Sequence, residues 1–289
     1  MATAREILRK YNVRPRKRLG QSFLVDHNIM AGIVGAAGIR RDETVVEIGA
    51  GIGIMTAMIA CRAEKVVAVE VDPALIKILE EELGECRNLE IVRTDILEYD
   101  FRNAAPAEEC GAYPPRRLKV IGNIPYNISS RILFRLFAFR EIISTMILMF
   151  QREVADRIMA SPGSREYGIL SVLVGMFAEP SRIMNVSRRC FFPPPEVDST
   201  VLKIEFREKP LADLRDPGFF LETVKAAFSR RRKTLFNNLK SAFGRAHSDQ
   251  EIEEVLKRAG IEGRRRGETL TVAEFGLLSN FLYGAFKEC

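Results

Sequence analysis

Short apolar runs, set apart by mixed segments, dominate the first two thirds of the chain. They fall at residues 44–48, 65–70, 89–93, 118–122, 145–150 and 201–206, and most lack polar alternation. Unbroken runs of this length predict strands buried on both faces, as in a parallel sheet. Helical stretches lie between them. Asp72-Pro73 reads as an N-cap followed by proline at the first helical position, opening a helix through Leu83. The alternation predicts a mostly parallel, doubly wound α/β sheet.

After Phe206 the pattern becomes helical only. Asp216-Pro217 marks one start, and Ser248-x-x-Glu251 and Thr271-x-x-Glu274 have capping-box spacing. Gly260 and Gly284 stand where helix stops are expected. The shift predicts an α/β domain over residues 19–208 and a small all-helical C-terminal domain over 209–289. A basic arm, residues 1–18, precedes both. Residues 103–117, rich in Ala, Pro, Glu and Arg, read as a surface loop.

At 289 residues and 47% hydrophobic, the chain can bury a large core. Its net charge of +6 is unevenly placed. Residues 1–18 hold 7 Lys/Arg against 1 Glu, and residues 203–289 hold 17 basic against 13 acidic side chains. The stretch between is slightly acidic. Basic flanks around such a body suggest a catalytic centre gripped to a polyanion by its edges. The 5 cysteines are odd in number and include no C-x-x-C pair, which argues against a disulfide framework or a metal site. They fit a reducing compartment. The longest apolar stretch, residues 142–150, is too short to cross a bilayer. With no apolar leader in the sequence, a cytoplasmic protein without a membrane partner is expected.

Two segments carry candidate chemistry. In the first, a buried strand runs into Gly49, Gly51 and Gly53. Glycines permit positive φ and a close approach of ligand to backbone. Glu70 ends the next strand, where a carboxylate can accept ribose hydroxyls. Asp95, followed by Ile96, comes after the third strand and suits an adenine amino group. Together they favour a nucleoside-bearing cofactor over a merely tight turn.

In the second, Asn123-Ile124-Pro125-Tyr126 follows the fourth strand. An exocyclic adenine amine is a poor nucleophile because its lone pair is delocalised into the ring. Accepting both its hydrogens draws the nitrogen toward a pyramidal geometry. The Asn123 side-chain oxygen and the Ile124 carbonyl can be the two acceptors. Pro125 stiffens the turn, and Tyr126 offers a face for stacking. No strong base is needed if the methyl donor is an activated sulfonium. Phe191, in the proline-rich segment Phe191-Phe192-Pro193-Pro194-Pro195, is the candidate to close over the base from the other side.

With these motifs in order, the sequence resembles the KsgA/RsmA family of ribosomal RNA adenine dimethyltransferases over nearly its whole length. Lys17-x-Leu19-Gly20-Gln21-Ser22-Phe23-Leu24 resembles the family's N-terminal signature, and Glu47-x-Gly49-x-Gly51-x-Gly53 its cofactor turn. Asn123 to Tyr126 resembles its catalytic tetrapeptide, and residues 191–199 its post-catalytic motif. Residues 232–239 resemble a basic helix of its C-terminal domain. The resemblance implies a class I (Rossmann-like) methyltransferase fold that uses S-adenosyl-L-methionine. It implies N6-dimethylation of two adjacent adenines near the 3′ end of small-subunit rRNA, on the small ribosomal subunit or its precursor. It also implies cofactor contacts at Ser22, Leu24, Gly49, Glu70, Asp95 and Asn123. Ser22 stands where the family usually has Asn, and Glu196 where it usually has Lys.

Arg14, Arg16, Lys17 and Arg18 form a basic arm, and Arg230, Arg231, Arg232 and Lys233 span one expected helical turn. Both clusters, with Arg264 to Arg266, suit phosphate contacts. A monomer is expected. Two alternatives stay open: a relative that dimethylates large-subunit rRNA, and a non-catalytic assembly or transcription factor on the same fold.

Overall fold

The computed structural model describes residues 3–105 and 117–287, so most of the expected loop at 103–117, with Cys110, and also Cys289, lies outside the described residues. In chain order the elements are α1 (Ala4–Lys10), β1 (Phe23–Leu24), α2 (His27–Ala36), β2 (Thr44–Ile48), α3 (Ile54–Ala60), β3 (Lys65–Glu70), α4 (Pro73–Leu83) and β4 (Leu89–Arg93). They continue with β5 (Leu118–Asn123), α5 (Ser129–Phe137), β6 (Ile143–Gln151), α6 (Arg152–Ile158), α7 (Ile169–Phe177), β7 (Ala178–Val186), β8 (Phe191–Phe192) and β9 (Ser199–Phe206). Helices α8 (Pro217–Ala227), α9 (Leu235–Phe243), α10 (Asp249–Arg258) and α11 (Val272–Phe286) follow.

The chain divides into two compact units. The first comprises residues 1–155 and 181–206, and the second residues 156–180 and 207–289. Residues 156–180 thus group with the helices rather than with the segment that surrounds them in sequence.

A seven-stranded sheet, all but the start of β7 within the first unit, has the order β4-β3-β2-β5-β6-β9-β7. β4, β3, β2, β5 and β6 run parallel, and β9 joins β6 antiparallel. The apolar runs explain this core: Val45, Val46, Val66, Val67, Val120 and Ile121 are each fully buried. The sequence pattern missed β7. This strand lies at the sheet's edge, contains Pro180, and mixes exposed and half-buried positions between buried ends. Proline is tolerated at such an edge, but no apolar run betrays it. β1 and β8 pair antiparallel, Phe23 opposite Phe192 and Leu24 opposite Phe191.

In the second unit α8 to α11 enclose a core that includes Phe220, Leu235, Leu239, Ile252, Phe275 and Leu282. The expected caps form: Asp216 accepts the Phe219 N–H, and Ser248 and Thr271 make complete capping boxes. Gly260 follows α10 in the left-handed region, at φ 68°. Gly284 is not a stop, because α11 continues through it to Phe286. No helix among the described residues is long and apolar enough to cross a membrane.

Candidate active site

The carboxyl ends of β2, β3, β4 and β5 border a cavity of about 270 Å³ in the first unit. Gly49 and Gly51 line it, in a turn that runs on to Gly53, with φ of 69°, 60° and 84°, all in the left-handed region. A side chain at Gly53 would meet Leu79 and Leu83 of α4 at 2.8 and 2.9 Å.

Glu70 is 6% exposed, and backbone N–H groups hold its carboxylate. The Gly51 N–H donates to Oε2 at 3.0 Å, and the Val71 and Asp72 N–H groups donate to Oε1 at 2.9 Å each. A carboxylate offers about four acceptor positions. About one is therefore left for a ligand, fewer than acceptance from both ribose hydroxyls requires. Burial raises the Glu70 pKa above the ordinary carboxylate range, against the pull of these three donors. Near the end of β2, Glu47 is 1% exposed, and its Oε2 has no hydrogen-bond partner among the described residues. Burial, with a smaller push from the Glu70 charge, raises its pKa to about 8.

Asp95 is exposed. Its Oδ1 accepts the Leu97 N–H at 2.9 Å, and its backbone carbonyl accepts those of Glu98 and Tyr99. It is therefore a local cap as well as a wall of the cavity. Asn123 ends β5, and its Nδ2 donates to the Ser22 carbonyl at 3.0 Å. The amide is thereby turned so that Oδ1 remains an acceptor. Ser22 is fixed in its own right, its hydroxyl donating to the Pro193 carbonyl at 2.8 Å. Tyr126 is half-buried and its hydroxyl is bonded to that of Ser199, the first residue of β9. Burial raises the Tyr126 pKa, keeping the phenol neutral.

A profile described as ribosomal RNA adenine dimethylase matches residues 12–276. The chain belongs to the ribosomal RNA adenine dimethylase family. It is 46% identical over 282 residues to ribosomal RNA small subunit methyltransferase A of Syntrophus aciditrophicus (strain SB), covering 98% of this chain and 99% of that one. The protein of the same name from Geobacillus kaustophilus (strain HTA426) is 43% identical over 283 residues, covering 98% and 96%. Among solved structures, a dimethyladenosine transferase from Plasmodium falciparum superposes with a TM-score of 0.74 at 27% identity, covering 88% of this chain and 94% of that one. The 23S rRNA methyltransferase ErmE gives 0.65 at 27%, covering 90% and 99%. The fold is thus the Rossmann-like one the sequence implied.

Within this family member, the cavity gathers most of the residues singled out from sequence. Ser22, Gly49, Gly51, Glu70, Asp95, Ile96 and all of Asn123 to Tyr126 line it. Three residues do not. Gly53 sits one step beyond as the N-cap of α3. Leu24, 8% exposed, belongs to the hydrophobic core. Phe191 is a correction: it is 4% exposed in that same core, whereas Phe192 is 47% exposed. Successive side chains of a strand point to opposite faces, so only one of the pair can face solvent.

The basic residues also divide. Arg14 and Arg18 are exposed, and Arg18 borders the cavity, but Arg16 pairs with Asp72 at 3.1 Å. The Lys17 side chain lies outside the described residues. Arg230 to Lys233 are not on a helix, as the sequence suggested. They form the turn between α8, which ends at Ala227, and α9, which Thr234 caps through the Asn237 N–H. Arg231 bonds to the Arg165 carbonyl, and Arg265 forms a two-pronged pair with Glu274. Sequence reasoning gave no site role to Gln21, Asp72 or Ser199. In the sequence Asp72 reads only as a cap, and Gln21 and Ser199 stand inside motifs that give them no separate role.

Proposed function

We propose that this protein transfers methyl groups from S-adenosylmethionine to N6 of adenine in small-subunit ribosomal RNA, two methyls on each of two adjacent adenines of the 3′-terminal hairpin. The carrying observation is the Asn123 amide. With Nδ2 committed to Ser22, Oδ1 is an oriented acceptor in the cavity that also holds Glu70 and Tyr126. The names of the relatives above support the choice of RNA and subunit.

The lining suits the donor. Glu70, Asp95 and Asn123 supply polar contacts for a nucleoside, Val71 and Ile96 supply apolar walls, and the glycine turn keeps its backbone accessible. When bound, S-adenosylmethionine supplies an electrophilic methyl on a sulfonium, so the protein need supply no strong base. The remaining work falls to the tetrapeptide. Asn123 Oδ1 and the Ile124 carbonyl accept the two amine hydrogens and free the nitrogen lone pair. Tyr126, tethered through its hydroxyl to Ser199, holds the ring plane against which the base stacks. The exposed cations Arg14, Arg18, Arg230, Arg232 and Lys233 contact phosphates and position the RNA.

Incubating the protein with labelled S-adenosylmethionine and small subunits lacking the modification, beside naked RNA and large subunits, tests this. Label in two adjacent small-subunit adenines is expected. Label confined to large-subunit RNA would overturn it in favour of the activity named for ErmE, and no label anywhere would favour a non-catalytic role.

A further inference from the structure

One part of the N-terminal arm reads differently in three dimensions than in sequence. Asp72, whose side chain is 3% exposed, collects bonds from two residues of that arm. Arg16 Nη1 lies 3.1 Å from Oδ1, and Gln21 Nε2 donates to Oδ2 at 2.8 Å. Gln21 Oε1 in turn accepts the Arg16 backbone N–H at 2.8 Å. The three residues close a ring at the base of a strap, and Arg18, Leu19, Gly20, Gln21, Ser22 and Phe23 of this strap all line the cavity.

Both ends of the strap meet functional groups. At one end Asp72 donates its own N–H to Glu70, so one short loop holds the Glu70 carboxylate with its backbone and the strap with its side chain. At the other, Ser22 holds the Asn123 amide. Between them Gly20, at φ 63°, passes so close to the tetrapeptide that a side chain there would lie 3.0 Å from Asn127 Oδ1 and 3.5 Å from Pro125.

We propose that Arg16, Gln21 and Asp72 are positioning residues for the methyl donor, and that Arg16 serves the cofactor cavity rather than RNA phosphate. This rests on the methyltransferase reading above. The charged pair is largely desolvated on the Asp72 side, where a charge-assisted bond is strong. Cutting it releases the wall of the donor cavity first and the Asn123 amide second. Donor affinity therefore suffers more than turnover.

The test uses the full chain with Arg16→Gln, Gln21→Leu and Asp72→Asn, the last retaining a good N-cap for α4. Arg16→Lys is the conservative rescue. Lys10→Ala is the control, because Lys10 ties the same arm to Glu82 at 2.5 Å away from the cavity. Calorimetric titration with S-adenosylmethionine in the absence of RNA gives donor affinity. Filter binding of rRNA without donor gives RNA affinity, and steady-state assays give KM and kcat. The first three variants are expected to bind donor about tenfold or more weakly, the loss of one charge-assisted bond. KM for donor rises in step, kcat falls less, and rRNA affinity is unchanged. Arg16→Lys recovers part of the loss, and Lys10→Ala behaves as wild type. Unchanged donor affinity in Arg16→Gln and Gln21→Leu overturns the proposal, as does an equal fall in rRNA affinity for Arg16→Gln. If the wild type itself takes up no donor, the methyltransferase reading fails, and this inference with it.

Discussion

The amide nitrogen of Asn123 lies 3.0 Å from the carbonyl oxygen of Ser22, 101 residues earlier in the chain, and this bond decides which way the Asn123 oxygen faces. An asparagine free to flip would present a donor as often as an acceptor. Asn123→Ala removes the acceptor and is expected to lower kcat by about 10²-fold, in the range seen for deleting one preorganised polar group at a reacting centre. Single-turnover methylation measures it. A loss confined to KM would sink the acceptor role.

Tyr126 separates ring from hydroxyl. Tyr126→Phe keeps the ring and frees Ser199, so most activity should remain. Tyr126→Ala loses a stacking face worth ~1–3 kcal/mol. Its kcat/KM for RNA should fall about 10- to 100-fold with donor affinity nearly intact. Equal effects of the two substitutions would show that the hydroxyl, not the ring, is what matters.

Phe191 and Phe192 should behave oppositely. Phe191→Ala opens a cavity in the core and is expected to cost about 3–5 kcal/mol of stability. Phe192→Ala, at an exposed site, should leave the melting temperature nearly unchanged. Denaturant titration of both variants checks this assignment. If an aromatic residue of this segment touches RNA, rRNA affinity should drop for Phe192→Ala.

Glu47 gives a pH signature. Its folded pKa is raised to about 8, so the folded chain keeps a proton that the unfolded chain gives up near an ordinary carboxylate pKa of 4.5. The proton's contribution to stability is full below about pH 4.5, declines as pH rises, and is gone above about pH 8. Glu47→Gln cannot lose that proton. Its melting temperature relative to wild type should therefore be higher at pH 8.5 than at pH 5, by scanning calorimetry. An offset that does not vary with pH would mean the carboxyl is ionised in the fold.

The arginines of the second unit separate RNA contacts from internal ties. Neutralising Arg230, Arg232 and Lys233 together should weaken rRNA binding and flatten the slope of log K against log salt by about 2–3. Arg265→Ala should instead destabilise the unit, because its guanidinium bridges Glu274 and the Thr269 carbonyl. Glu274, held by Arg265 at a pKa of about 2, loses that support only as pH falls from its ordinary range toward 2. An unchanged salt slope in the triple variant would remove these residues from the RNA interface.

Much of this was legible in the sequence because burial writes itself into composition. β2, β3 and β4 were bounded correctly by their apolar runs, and Asp72, Asp216, Ser248 and Thr271 announced helices by local capping chemistry. β7 is illegible because its residues, Pro180 among them, form no apolar run, whereas β4, at the opposite edge, keeps one in Leu89, Ile91 and Val92. The run at 230–233 reads as helix in the sequence because Arg and Lys are good helix formers, whereas Thr234 capping the next helix sets a turn there. Gly284 misled for the converse reason: a glycine inside a long packed helix is tolerated by its surroundings. Which of Phe191 and Phe192 faces the core depends on register with β1, which no local pattern encodes. The Asp72 ring and the Ser22–Asn123 bond join segments about 50 and 100 residues apart, so only the folded chain reveals them.

The Leu235 N–H donates to the Arg265 carbonyl at 2.7 Å and the Phe236 N–H to that of Gly263 at 3.0 Å. These two bonds suture the segment behind Arg232 and Lys233 to the one that carries Arg264. The two basic loops therefore cannot rearrange independently. Their ordering entropy is met when the unit folds, before any polyanion arrives. In the phosphate-contact role proposed above, these loops would present their cations as one preformed surface.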